Sequence, residues 1–392
     1  MILHNISFKI KAFFKHPFFS NQRTLFWLWL LLPVVAALTK ITKHNNNFLI
    51  FRGAFWHTLQ EASLYTEYPD EYYDTNYYGP SFSLLIAPFA VIPEWLGLLL
   101  WLVALAMFLY WAIRMLPIRD GFRIAILWFC AHELLTALFM AQYNIAIVAG
   151  VLFTFICIKK EQEFWAAFFI MLGTFVKLYG IVGLAFFFFS KHKGKLILSL
   201  MFWAVVMFVA PMIISSPEYV FSQYAEWFTS LTSKNAENLF ASHQNISLLG
   251  LVRKISGCPS YSDLWLILPG LCLFALPYLR WNQFKHLSFQ LTLLASVLMF
   301  TVLFSTGSES STYIIAFVGV AIWYWAAPWQ RSRWDIALMV FAFILTSLSP
   351  SDLFPAYVRQ EWVQPYALKA LPVTIIWLQL TLEMLRKDYA NT

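Results

Sequence analysis

The run Tyr65-Thr66-Glu67-Tyr68-Pro69-Asp70-Glu71-Tyr72-Tyr73-Asp74-Thr75-Asn76-Tyr77-Tyr78-Gly79-Pro80 alternates acids with aromatic rings and is broken by two prolines. The chain on either side of it is strongly apolar. A helix crossing hydrocarbon does not carry such a run, because each unpaired charge at mid-bilayer is costly. The run therefore belongs to a polar loop at a membrane surface, and the rest of the chain can be placed relative to it.

The apolar surroundings set the class. Of the 392 residues, 60% are hydrophobic, 19% aromatic and only 12% charged, and the mean hydropathy is +0.65. A soluble domain carries about 25% charged residues, so this chain has too few to cover a soluble surface. The expected fold is all-α: a polytopic transmembrane helix bundle forming one integral membrane domain over residues 1–392. The net charge of +7 is then assigned to basic loops facing the cytoplasm, and nucleic acid is not an expected partner. Cys130, Cys157 and Cys272 lie in apolar runs and Cys258 in a loop, which reads as small apolar fillers and not as a disulfide framework. His4, Lys9, Lys11, Lys15 and Arg23 form a basic amphipathic lead-in to a first anchor, with no small-residue cleavage site after it.

At about 20 residues per crossing, the apolar runs make about twelve spans. They lie near 24–41, 95–115, 124–140, 144–158, 164–176, 178–190, 196–214, 264–280, 287–306, 311–328, 335–349 and 368–386. The segment from Ser81 to Ile92, bounded by Pro80 and Pro93, is too short to cross and is expected to be an interfacial or re-entrant helix. With both termini cytoplasmic, the basic turns at Arg114/Arg119/Arg123, Lys159/Lys160, Lys191/Lys193/Lys195, Arg280/Lys285 and Arg331/Arg333 all face inward, as the positive-inside rule requires. Most acids then face outward, on large loops at 42–94, 215–263 and 350–367.

Candidate chemistry gathers on that outward side. Asp70, Glu71 and Asp74 come first, since transfer of a sugar with inversion needs one carboxylate to take the acceptor proton. Asp74 is favoured because it lies closest to Tyr77-Tyr78-Gly79-Pro80, where the chain turns back to the membrane. A plain solvated acidic loop is the alternative. The tyrosines, Tyr78 among them, are sugar platforms or interfacial belt residues. Lys177 interrupts an otherwise continuous apolar run; it is a point charge for a lipid-linked phosphate, or it snorkels or pairs with Glu133. His132-Glu133 sits inside the third span, and an acid there is a functional candidate by default. His243-Gln244-Asn245-Ile246-Ser247, followed by Arg253 and Lys254, is a polar cluster suited to phosphate or sugar. Gln142-Tyr143-Asn144 and the stretch Gly307-Ser308-Glu309-Ser310-Ser311-Thr312-Tyr313 bring further polar groups to outward turns. Walker, HExxH, Cys-based metal and Gly-x-Ser-x-Gly motifs are missing, so no metal ligand is assigned.

Taken in order, these motifs resemble the bacterial integral-membrane glycosyltransferases of family 87, also described as domain of unknown function 2029. The carriers are Asn47-Phe48-Leu49-Ile50-Phe51 through Leu64-Tyr65, then Tyr77-Tyr78-Gly79-Pro80 with Ala87-Pro88-Phe89-Ala90-Val91-Ile92-Pro93, then Gln142-Tyr143-Asn144, Val176-Lys177, and Asn245-Ile246-Ser247-Leu248 with Arg253. The resemblance covers nearly the whole chain and implies a GT-C fold with juxtamembrane helices in the first outward loop. It implies transfer of mannose or a similar hexose from a polyprenyl-phosphate donor to a glycan or lipid acceptor of the cell envelope, on the outer face of the bacterial inner membrane. Lys177, Arg253, His243 and Asn245 would bind the donor. Related folds divide over a divalent cation, so a cation requirement is left open. Two departures matter: the family's usual Asp after the first span falls at Asn47, an amide that cannot act as a base, and the usual His-bearing motif near the tenth span is replaced by Ser308-Glu309-Ser310-Ser311-Thr312-Tyr313. Either Asp70, Glu71 or Asp74 takes over, or the chain is an inactive family member. A transporter or flippase for a lipid-linked glycan, and a non-catalytic membrane scaffold, are the readings from other classes.

Overall fold

Long apolar runs ended by Gly, Pro or polar turns give helices, and the computed structural model is helical throughout, with no strand among the described residues. It describes residues 16–40, 45–239, 241, 243–258 and 260–390; the basic lead-in residues His4, Lys9, Lys11 and Lys15 lie outside these. In chain order the main helices are α1 (Gln22–Lys40), α2 (Asn46–Gln60), α3 (Phe82–Ala90), α4 (Glu94–Arg114), α5 (Asp120–Phe139), α6 (Asn144–Lys159), α7 (Glu163–Lys177), α8 (Lys193–Val209), α9 (Pro217–Glu237), α10 (Leu248–Ser256), α11 (Leu264–Ala275), α12 (Leu287–Leu303), α13 (Tyr313–Trp325), α14 (Arg333–Phe341) and α15 (Ala370–Arg386).

The expected apolar segments are helical where described, and among the described residues four stretches are long and apolar enough to cross a membrane: α1, α4, α5 and Lys193–Ile213. The others are shorter because the chain breaks early. At Leu178 the backbone takes the left-handed conformation (φ 56°), which ends α7 and starts a 3-10 helix, Tyr179–Phe189, that packs back on α7. The expected short helix between Pro80 and Pro93 is α3, nine residues long. In the second large loop expected from the sequence, the amphipathic piece extends into α9, capped by the Ser216 hydroxyl on the Tyr219 N–H.

Burial sorts the helices. α12 and α13 are buried on almost every side, as a helix apolar all round should be. They approach closely at Gly319, where a Cβ would come within 2.9 Å of the Ala295 carbonyl oxygen. α5 and α6 flank this pair, with Phe129 stacked on Phe317 at 4.3 Å. α1, α8 and α11 turn exposed apolar faces outward, through Trp27, Leu38, Leu198, Met201, Trp265 and Leu268. Exposed apolar surface on this scale marks a face that meets lipid.

Candidate active site

The turns at one end of the bundle converge. The start of α2, the 74–78 stretch, the turn before α6, the end of α7, the residues Leu231, Lys234, Asn238 and Gln244, and the turn before α13 enclose a cavity of about 330 Å³. Asn47, Asp74, Tyr78, Gln142, Lys177, Gln244 and Glu309 all line it. These come from turns that the charge pattern had assigned to the same side.

Local chemistry explains how each arrives. Asn45 caps α2 by accepting from the Phe48 N–H at 3.1 Å. Asn46 then clamps the acidic loop, donating to the Tyr73 carbonyl and accepting from the Tyr73 N–H, both at 2.7 Å. Asp74 follows in the left-handed conformation (φ 71°), and its Oδ1 accepts from the Thr75 N–H at 2.8 Å and the Tyr77 hydroxyl at 3.1 Å. Lys234 of α9 stands 3.7 Å from the same oxygen and 4.7 Å from the Tyr77 ring. The Gly79 N–H donates to the Val176 carbonyl at 3.0 Å, so the acidic loop is tied directly to the end of α7.

Lys177 does not pair with Glu133. Its ammonium donates to the Asn144 Oδ1 at 2.7 Å and sits over the rings of Tyr78 and Tyr179 at 5.4 and 5.6 Å, a cation–π seat. Tyr78 is buried between Phe51 and Phe82, and its hydroxyl oxygen accepts from the Tyr143 N–H. Glu309 accepts from Gln142 at 2.8 Å and Gln244 at 2.9 Å, joining three separate turns. Asn47 donates to the Met140 carbonyl at 2.7 Å, so its amide lines the cavity as a hydrogen-bonded fixture.

Other candidates lie elsewhere. Asp70 is exposed and away from the cavity lining. Glu71 is exposed and pairs with His57 at 3.2 Å. His243 is exposed. Asn245, buried with φ 51°, donates to the Leu239 carbonyl and accepts from the Ser247 hydroxyl, shaping the start of α10. Arg253 is bonded to Asp263 at 2.8 Å and borders an apolar groove that adjoins the cavity. Glu133 forms a fully buried ion pair with Lys369 at 2.7 Å, and Lys369 also donates to the Ser310 carbonyl beside Glu309. The pairing of Lys177 with Glu133, weighed from the sequence, is thus replaced by one with Lys369, because α15 brings that cation nearer. Lys369 and Lys234 escaped the sequence reading. A lysine at the mouth of the last apolar run was a usable signal for the first; only its helical spacing from Glu226 hinted at the second. Among the described residues no three His, Cys, Asp or Glu side chains converge, and no step is assigned to a metal ion.

No curated protein matches this sequence. Residues 76–306, more than half of the chain, match glycosyltransferase family 87. The matched part includes Tyr78, Gln142, Lys177, Asn245 and Arg253, while Asn47, Asp74 and Glu309 flank it. Apolar helices around a polar, carboxylate-bearing cavity accord with that match, and the chain belongs to glycosyltransferase family 87, as a membrane glycosyltransferase.

Proposed function

We propose that the protein moves a hexose, mannose or a close relative, from a polyprenyl-phosphate donor to a cell-envelope glycan or lipid on the outer face of a bacterial inner membrane. In this reading the shorter helices complete a GT-C bundle of about twelve crossings. One observation carries the donor assignment. The polar cavity adjoins an apolar groove of about 670 Å³, and the two share Leu178, Tyr179, Ser305 and Thr306. The groove is walled largely by Ile181, Val182, Leu249, Leu264, Ile267, Phe300 and Phe304. A phosphate at Lys177 with an isoprenoid tail in that groove uses both compartments.

The chemistry follows from the placement. The acceptor hydroxyl gives its proton to the Asp74 carboxylate as its oxygen bonds to the anomeric carbon. The bond from that carbon to the phosphate oxygen breaks on the opposite face, and the lipid phosphate leaves with the electron pair. Lys177 offsets the charge that develops there. The tyrosine seat of Lys177, largely shielded from water, strengthens this interaction. Asn47 holds the Met140 turn and takes no proton.

The test is to incubate the purified protein with a polyprenyl-phosphate hexose and follow release of the lipid phosphate and glycosylated product. Turnover supports the reading. A wild-type preparation that carries a lipid-linked glycan across vesicles yet releases no lipid phosphate would replace it with a flippase.

A further inference from the structure

The Asp74 wall has two faces. Asp74, Thr75, Tyr77 and Lys234 line the inner cavity and also border an outer groove of about 570 Å³ between the acidic loop and α9. α9 holds the loop in place: Gln223 accepts from the Leu64 N–H at 2.8 Å, and the Trp227 indole donates to the Tyr77 carbonyl at 2.9 Å. Its groove-facing residues, Glu226, Thr229, Ser230, Ser233 and Lys234, recur at the spacing of one helical face. Tyr65 and Glu67 supply the opposite side from the loop.

We propose that this groove is the acceptor subsite, and that it takes a neutral or amine-bearing glycan from the aqueous side while turning away anionic ones. The proposal rests on the transferase reading of Asp74. Hydroxyls, carboxylates and tyrosine rings together suit a polyhydroxylated ligand, since carboxylates accept strongly from sugar hydroxyls and rings cover sugar C–H faces. The charge balance sets the selectivity. Lys234 stands beside Asp74, which leaves Glu67 and Glu226 as negative charge in the groove, and like charges across an interface suppress the wrong partner. An acceptor hydroxyl lying in the groove meets Asp74 from the face opposite Lys177, so the two substrates enter from different compartments and meet at one carboxylate.

Binding without donor tests this directly. The probes are maltotriose, the trimer of glucosamine and the trimer of galacturonic acid, titrated calorimetrically against the purified full-length protein. Maltotriose and the glucosamine trimer are expected to bind at least tenfold more tightly than the galacturonate trimer. Thr229→Trp and Ser233→Trp, both at exposed positions, should weaken binding at least tenfold. Glu67→Gln, also exposed, should narrow the gap between the glucosamine and galacturonate trimers without filling the groove, which guards against a tryptophan variant that merely misfolds. Unchanged binding in the tryptophan variants, a preference for the acidic trimer, or no binding of any trimer would overturn the proposal. Glycan binding that responds to these substitutions in a protein that turns over no lipid-linked sugar would leave the groove standing and sink the donor reading alone.

Discussion

At the scale of single residues, the proposed reaction divides the work between two side chains that line the cavity, Asp74 and Lys177. Asp74 is half-exposed, faces both cavity and groove, and is aimed by the Thr75 N–H and the Tyr77 hydroxyl. Asp74→Asn keeps the volume and removes the proton acceptor, so turnover should fall by about a hundred- to ten-thousand-fold with donor affinity nearly unchanged. Full turnover in Asp74→Asn would move the base to Glu309, which is held by Gln142 and Gln244 on the same cavity. Lys177→Met should do the reverse. It removes a charged hydrogen-bond donor, worth roughly tenfold to a hundredfold in donor affinity, and titration with a polyprenyl-phosphate sugar reads that loss. Equal donor binding by Lys177→Met and wild type would take the phosphate away from this lysine.

At the scale of elements, two fixtures keep the turns together. Glu133 of α5 and Lys369 at the head of α15 form a buried pair, and the lysine also bonds Ser310 in the turn that presents Glu309. Removing one partner strands a buried charge. Lys369→Met should therefore cost about 3–5 kcal/mol, read as a lowered unfolding midpoint in detergent. Replacing both partners with apolar residues, Glu133→Leu with Lys369→Met, should restore much of that. A double variant no more stable than the single one would show that the pair does more than satisfy itself. Gly79 is the second fixture. A Cβ there would run into the Phe175 carbonyl oxygen and the Trp227 ring, and the Gly79 N–H is what ties the loop to Val176. Gly79→Ala should lower stability by about 1–3 kcal/mol, as overpacking does, and weaken donor binding because Tyr78 shifts from Lys177. An alanine variant with the wild-type melting profile and donor affinity would remove the tie from the account.

At the scale of the whole molecule, the cavity, groove and acidic loop occupy one end, and the basic turns are assigned to the other. Tyr73 is 81% exposed on the acidic loop, and Lys195 is exposed at the start of α8. Tyr73→Cys should react with an impermeant thiol reagent in intact cells whose outer barrier has been opened, whereas Lys195→Cys should react only after lysis. The opposite labelling pattern would invert the molecule in the membrane, and the outer-face donor with it.

Sequence alone determined the all-helical class, the position of nearly every apolar helix, and which turns carry acids or lysines. These are properties of composition and of apolar run length, and both are local. It also singled out Asp74, Lys177, Tyr78, Gln142 and Glu309, because polar groups stand out against an apolar chain. The tertiary structure decided which of them meet. Asp70 and Glu71 are chemically equal to Asp74, yet the left-handed turn at Asp74 and the Asn46 clamp on Tyr73 bring only the third acid to the cavity. Glu133 and Lys369 lie 236 residues apart, and Gln142 and Glu309 lie 167 apart. No periodicity links such pairs, and only the packing of α5, α13 and α15 closes the distance. Asn245 and Arg253 both look like ligand-binding residues in one dimension; in the fold Asn245 bonds Leu239 and Ser247, whereas Arg253 bonds Asp263 at the edge of the apolar groove. A polar side chain shows that it needs partners; whether those come from substrate or from the protein is set by what the fold puts beside it.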